Sequence, residues 1–198
     1  PHAAGQAASR LLVHARDTVA RCLNCRPDEI TFTSGGSESD TQALLSAARN
    51  GARQGRQHIL STAFEHHAVL HTLERLSRDG FTVELLPVGP LGIITAAQVA
   101  AALRPDTCLV SVMYANNEIG SVLPVGEIGA LCRERGVPFH TDAVQAAGHL
   151  PIDVRAQSID LLSLSAHKFN GPKGAGVLYA RRGTPLVSLI EGGAQERG

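Results

Sequence analysis

Seven short apolar runs, each followed by a helical pattern or a glycine-rich turn, constrain this chain more than any other feature. The runs are "EITFT", "QHILST", "FTVELLPV", "TCLVSVMY", "VPFHTD", "IDLLSLS" and "GAGVLYARR". Between them lie segments with helical spacing, beginning with Ala7, Ala8, Leu11, Leu12, Ala15, Val19 and Leu23, which predict an amphipathic helix over roughly residues 5 to 24. "SGGSESDTQALLSAARNG" reads as a turn opening a helix that Gly51 closes, and "HHAVLHTLERLSRDG" as a helix stopped by Gly80. Thr95 is placed to cap "AAQVAAAL", and Pro124 to start the helix ending near "CRERG". "TCLVSVMY" is nearly continuous in apolar residues, as a strand covered on both faces must be. Alternating strands and helices with short connections imply an α/β fold, a mostly parallel sheet with helices on both faces. No repeat, low-complexity tract or linker divides the chain, so residues 1–198 are expected to form a single unit.

Bulk composition excludes several classes of function. Formal net charge is zero, which leaves no electrostatic footprint for nucleic acid or an anionic membrane. No apolar run approaches the roughly 20 residues needed to span a bilayer. Cys22, Cys25, Cys108 and Cys132 are too few to build a disulfide scaffold at this length, and they suit a reducing cytosol. The Cys22–Cys25 pair is a lone C-x-x-C with no second pair or histidine at finger spacing. A first residue that is proline, with no signal peptide, and an end in "EGGAQERG" lead to the expectation of a piece of a longer product.

Open parallel sheets bind ligands beyond the carboxyl ends of their strands, so the residues just after each run carry the functional information. Ser34–Ser37, Glu65–His67, Asn116–Glu118, Asp142 and Ser165–Lys168 occupy those places. In "TSGGSES", Gly35 and Gly36 leave amides uncovered at a helix N-terminus and Ser37 adds a hydroxyl, which is a cradle for phosphate. A plain glycine turn with Ser37 as N-cap is the competing reading. Asp142 at a strand end can pair with a protonated ring nitrogen or cap a helix. His66 is placed to lie on an aromatic ring, while His67 and His71 have the i, i+4 spacing a zinc site could use but lack an obvious third ligand.

The lysines sharpen this picture. Of 18 Lys and Arg residues only Lys168 and Lys173 are lysine, and both fall in "SAHKFNGPKG". A guanidinium holds its proton at any workable pH, whereas an amine can lose its proton and form a Schiff base. Lys168 ends an apolar strand between Ser165 and His167 and is the better candidate; Lys173 lies between glycines and reads as part of a turn. A phosphate cradle, an acid for a ring nitrogen, a flat imidazole and such a lysine together describe pyridoxal 5′-phosphate.

The motifs "TSGGSESD", "EHHAVL", "NNEIG", "HTDAVQ", "SAHKFNGPKGAG" and "GGAQERG" run in order along the chain, which resembles the cysteine desulfurase and selenocysteine lyase group of class V aminotransferase-like enzymes. The resemblance implies the large domain of fold type I, truncated at both ends and without the C-terminal small domain. It implies a Schiff base on Lys168, with His66 stacked on the ring, Asp142 on the ring nitrogen and Gln145 on the ring hydroxyl. Gly36, Ser37, Ser165 and His167 would hold the phosphate, and Asn117 would touch cofactor or bound amino acid. The implied activity converts L-cysteine to L-alanine and passes sulfur, through an enzyme persulfide, to an acceptor protein in iron–sulfur cluster assembly or thio-modification. The implied assembly is a cytoplasmic homodimer. No cysteine here matches the nucleophile's position, so the chain by itself is expected to be inactive. Thr41 stands where the group usually has Asn, and Gly36–Ser37 where many members have Ala-Thr. A selenocysteine lyase, a non-catalytic fragment or degenerate paralogue, and a metal-dependent hydrolase are the alternatives.

Overall fold

A computed structural model describes residues 2–193. The last five positions of the "GGAQERG" motif lie outside the described residues. In chain order the elements are α1 (Ala3–Leu23), β1 (Ile30–Thr33), α2 (Gly36–Ala52), β2 (His58–Thr62), α3 (His67–Arg78), β3 (Thr82–Leu86) and α4 (Ala96–Ala102). They continue with β4 (Thr107–Ser111), α5 (Val125–Arg135), β5 (Phe139–Asp142), β6 (Leu161–Ser165), a 3₁₀ turn (Ala166–Phe169) and β7 (Gly176–Ala180). The seven strands form one sheet in the order β1-β7-β6-β5-β4-β2-β3. Strands β3, β2, β4, β5 and β6 are parallel, and β7 runs antiparallel between β6 and β1.

Strand alternation explains why both faces of this sheet are covered. Ile59, Leu109, Leu161 and Leu178 point to one side, where they pack with Leu44 and Ala47 of α2 and Leu73 and Leu76 of α3. Their neighbours Leu60, Val110, Leu162 and Tyr179 point to the other, against Val99 of α4, Ile128 and Cys132 of α5, and Ala20 and Leu23 of α1. Each strand therefore needs apolar side chains at successive positions, which is why the runs read as continuous.

The helix ends follow local chemistry. Thr95 caps α4 with its hydroxyl accepting from the Gln98 amide at 3.2 Å, and the Gln98 side chain accepts from the Thr95 amide at 2.8 Å. Pro124 stands at the N-cap of α5, and Gly136, with φ of 62°, ends it. Gly51 does not end α2 as its spacing suggested. It lies inside the helix, where a Cβ would come within 2.2 Å of the Cys108 Cβ on β4. The glycine is a close-approach point between helix and sheet rather than a stop signal. Helix α1 forms, but its apolar stripe is packed only at its C-terminal end, through Ala20 and Leu23, while Leu11 is 72% exposed.

Restoring a Cβ at position 51 is expected to overpack this contact. Gly51→Ala should lower stability by about 1–3 kcal/mol, and Cys108→Ala, which keeps the offending Cβ, should not relieve the loss. Urea unfolding of the single and double variants measures both effects.

Candidate active site

Parallel pairing brings the ends of β2, β4, β5 and β6 to one edge of the sheet, and the loop after β1 joins them. A cavity of about 190 Å³ opens there, lined by Gly36, Ser37, Asp40, His66, Met113, Asn117, Asp142, Val144, Gln145, Ser165, His167 and Lys168. The nine residues to which the resemblance assigns a cofactor role all line this one space.

At one end sits the N-terminus of α2. Its first-turn amides have no carbonyl within the helix to bond, and Gly35 at the N-cap offers no side chain to satisfy them. Glu38 is drawn away from the opening, accepting from the Ser34 amide at 2.7 Å. Ser165 Oγ and His167 Nδ1 lie 2.9 Å apart beside it. The loop fits because Gly176 at the start of β7 carries no Cβ; one there would meet the Gly35 Cα at 2.5 Å. Amides, hydroxyls and an imidazole converging on a positive helix end form a donor set suited to phosphate.

Across the cavity, Asp142 ends β5 and is only 5% exposed. Its Oδ1 accepts from the Val144 amide at 2.9 Å, which leaves the second oxygen for the cavity. Burial pushes its pKa above the ordinary carboxylate range, while the Val144 amide and the nearby His66 and Lys168 act in the other direction. A buried carboxylate with one open oxygen is a partner for a protonated ring nitrogen.

His66 caps α3, its Nδ1 accepting from the Ala68 amide at 3.1 Å, which fixes the ring's orientation at the cavity. Lys168 lies in the 3₁₀ turn after β6 and is exposed at the cavity rim. The "NN" pair divides its duties. Asn116 holds the loop, accepting from the Glu118 and Ile119 amides and donating to the Phe64 carbonyl, while Asn117 lines the cavity. Lys173 lies in a turn whose Gly174 has φ of 81°, and it also borders an adjoining hollow with Ser37 and His167.

Sequence reasoning gave Asp40 no role and placed Glu65 at a strand end without assigning it one. Asp40 lies on the inward stripe of α2 with Gly36, Ala43, Leu44 and Ala47, and a charged residue on a buried helical face was the available signal. Glu65 is buried behind His66, its Oε1 accepting from the Thr62 hydroxyl at 2.5 Å and the Met113 amide at 3.0 Å. Among the described residues, Asp40, His66 and Asp142 are the one group at metal-ligand spacing; neither His67–His71 nor Cys22–Cys25 belongs to such a group. All four cysteines are free thiols, and none lines the cavity.

The donor set thus suits a class: an α/β enzyme site with room for a phosphate at a helix end and an aromatic nitrogen at a strand-end carboxylate. The chain belongs to the Aminotransferase class-V family, whose profile matches residues 1–196. It is 52% identical over 184 residues to the cysteine desulfurase IscS of Clostridium botulinum (strain Kyoto / Type A2), covering 93% of this chain and 46% of the relative. Identity to the cysteine desulfurase IscS of Methanosarcina thermophila is 48% over 193 residues, covering 98% and 48%. Among solved structures, "SspA in complex with cysteine" superposes with a TM-score of 0.94 at 41% identity, covering 98% of this chain and 56% of that one. DndA from Streptomyces lividans gives 0.92 at 42% identity, covering 98% and 56%. The chain spans about half the length of the curated relatives it matches.

Glu65 makes the site's pH dependence testable. Burial raises its pKa from 4.5 to about 8, and its Oε2 is buried without a partner. A raised folded-state pKa means the native protein binds this proton more tightly than the unfolded chain. The stabilisation is complete below pH 4.5 and is lost as pH rises through about 8. Glu65→Gln, which stays neutral, should therefore lose less stability than the parent between pH 6 and pH 9, as read by thermal unfolding at each pH.

Proposed function

We propose that this chain is the cofactor-binding part of a pyridoxal-phosphate-dependent cysteine desulfurase, in which Lys168 holds the cofactor. The observation that carries this reading is the convergence of Lys168, Asp142, His66 and the α2 N-terminus on one cavity. When bound, pyridoxal phosphate supplies the electron sink that lets the carbon–sulfur bond of cysteine break. The chain's own residues then have distinct tasks. Gly36, Ser37, Ser165 and His167 anchor the phosphate, and Asp142 keeps the ring nitrogen protonated. His66 would lie against the ring, Gln145 would bond the ring hydroxyl, and Asn117 would contact the cofactor or the bound amino acid. With the cofactor bound, the Lys168 amine would be the group placed to take a proton from the substrate carbon and return one to the product.

Sulfur transfer needs a thiolate. Cys108 and Cys132 are buried, with pKa values pushed up to about 11 and about 12, and Cys25 is half-buried and pushed up to about 12. Cys22 is exposed but, like the other three, does not line the cavity. We assign the nucleophilic cysteine, and the group that binds the substrate carboxylate, to chain outside these 198 residues. The reading extends to a cytosolic homodimer that passes sulfur to an acceptor protein for iron–sulfur clusters or thio-modification. The relatives' names support the sulfur-transfer activity, and four free thiols suit a reducing compartment; no helix among the described residues is long and apolar enough to cross a membrane.

The full-length protein is expected to release alanine from L-cysteine and to be labelled at Lys168 after borohydride treatment with cofactor bound. Lys168→Ala should abolish both. Alanine release from selenocysteine but not cysteine would move the assignment to a selenocysteine lyase, and release from neither would contradict it.

A further inference from the structure

Asp40 is 1% exposed, yet it lines the cofactor cavity and its Oδ1 has no hydrogen-bond partner. An acid in such a place is either a costly accident or a designed neutral group. Its surroundings decide which. From β5 it faces Asp142 and His140, from the connection between β2 and α3 it faces Glu65 and His66, and Lys168 lies across the cavity. One oxygen of Asp40, one of Asp142 and a ring nitrogen of His66 lie within 4.8 Å of one another.

The buried basic group beside Asp40 is His140, whereas His66 and Lys168 lie on the open side of the cavity. His140 Nε2 is 3.6 Å from Asp40 Oδ1, but the imidazole is wholly buried. Its two nitrogens are engaged by hydroxyls, Nδ1 with Ser111 Oγ at 2.9 Å and Nε2 with Ser163 Oγ at 3.0 Å. Burial pushes the pKa of His140 down to about 3, so the ring is neutral. Glu65 is buried as well and pushed up to about 8. Asp142 differs from both neighbouring acids. It has the Val144 amide on one oxygen, and both His66 and Lys168 near enough to favour its ionised form. Two carboxylates this close cannot both ionise without a cation between them. Burial first, and then the Asp142 charge, drive the Asp40 proton on, outweighing a Ser163 hydroxyl that favours the ionised form.

We propose that Asp40 is a neutral positioning residue: it keeps the proton of the Asp40–Asp142 pair, so that the single negative charge rests on the oxygen of Asp142 that meets the cofactor's ring nitrogen. This rests on the pyridoxal-phosphate reading of the site. Asp40 fills the wall behind Asp142 with a polar group of fixed shape and no charge, so a neutral isostere should replace it and a methyl should not.

The test uses full-length holoenzyme as the parent and as the Asp40→Asn, Asp40→Ala and Asp142→Asn variants. Two readouts are taken, the dissociation constant for pyridoxal phosphate and the pH midpoint of the bound cofactor's visible band. Asp40→Asn is expected to bind cofactor within about threefold of the parent and to leave the midpoint within about 0.2 units, because it removes no charge. Asp142→Asn should shift the midpoint, and Asp40→Ala should weaken binding by about tenfold or more. A midpoint in Asp40→Asn displaced as far as in Asp142→Asn would show that Asp40 is charged and overturn the proposal. Cofactor binding by a folded Asp40→Ala at parental affinity would also overturn it, and if that variant does not fold, the Asn comparison decides alone. Stoichiometric divalent metal in the parent, lost in Asp40→Asn, would overturn it by revealing two ionised acids. Failure of the parent itself to bind pyridoxal phosphate would instead remove the underlying reading, an outcome separable from all of these.

Discussion

Side-by-side parallel pairing of β2, β4, β5 and β6 is the constraint on which everything else in this protein depends. It sends every strand's carboxyl end to the same edge, so residues from distant parts of the sequence meet without any long loop. Register matters as much as direction. His140 of β5 pairs with Ser111 of β4 and with Leu161 of β6, which puts the His140 ring between hydroxyls on both neighbouring strands. A slip of one residue would turn that ring, and Asp142 two positions on, to the wrong face.

The same edge concentrates the electrostatics. Positive potential comes from backbone, at the α2 N-terminus, and from Lys168 at the rim; negative charge is held deep, on Asp142. A phosphate-bearing aromatic cation-acceptor pair matches that polarity end for end: anion at the helix, protonated nitrogen at the strand. Burial makes the match selective. In a low-dielectric wall a carboxylate without a partner is penalised, so only the acid with an amide and nearby cationic groups can carry charge cheaply. The polar wall is therefore a set of neutral groups around a single ionised one.

Most of this was legible in the sequence because strand-end residues are set by topology, and topology follows from the alternation of runs. Lys168, Asp142, His66, Ser165 and His167 each end an apolar run or lie within four residues of its end, and all reach the cavity. What escaped was the information carried by packing across elements. Gly51 reads as a helix stop along the chain, but its role is set by Cys108 on β4, more than fifty positions away. Asp40 looks like an ordinary polar residue until α2 is laid against β5 and β6. The stripe of α1 shows the converse: Leu11 and Leu12 belong to its helical pattern, yet periodicity alone could not say that they remain exposed. The family resemblance supplied the roles of Asn117 and Gln145, which no spacing rule marks.

The most direct test of the central claim is a crystal structure of the full-length protein grown with pyridoxal phosphate. The account predicts density continuous from Lys168 Nζ to the cofactor, the ring nitrogen about 2.7–2.9 Å from an Asp142 oxygen, and the phosphate on the Gly36–Ser37 amides. A ring bound elsewhere, a phosphate away from the α2 N-terminus, or a metal ion seated among Asp40, His66 and Asp142 would contradict it.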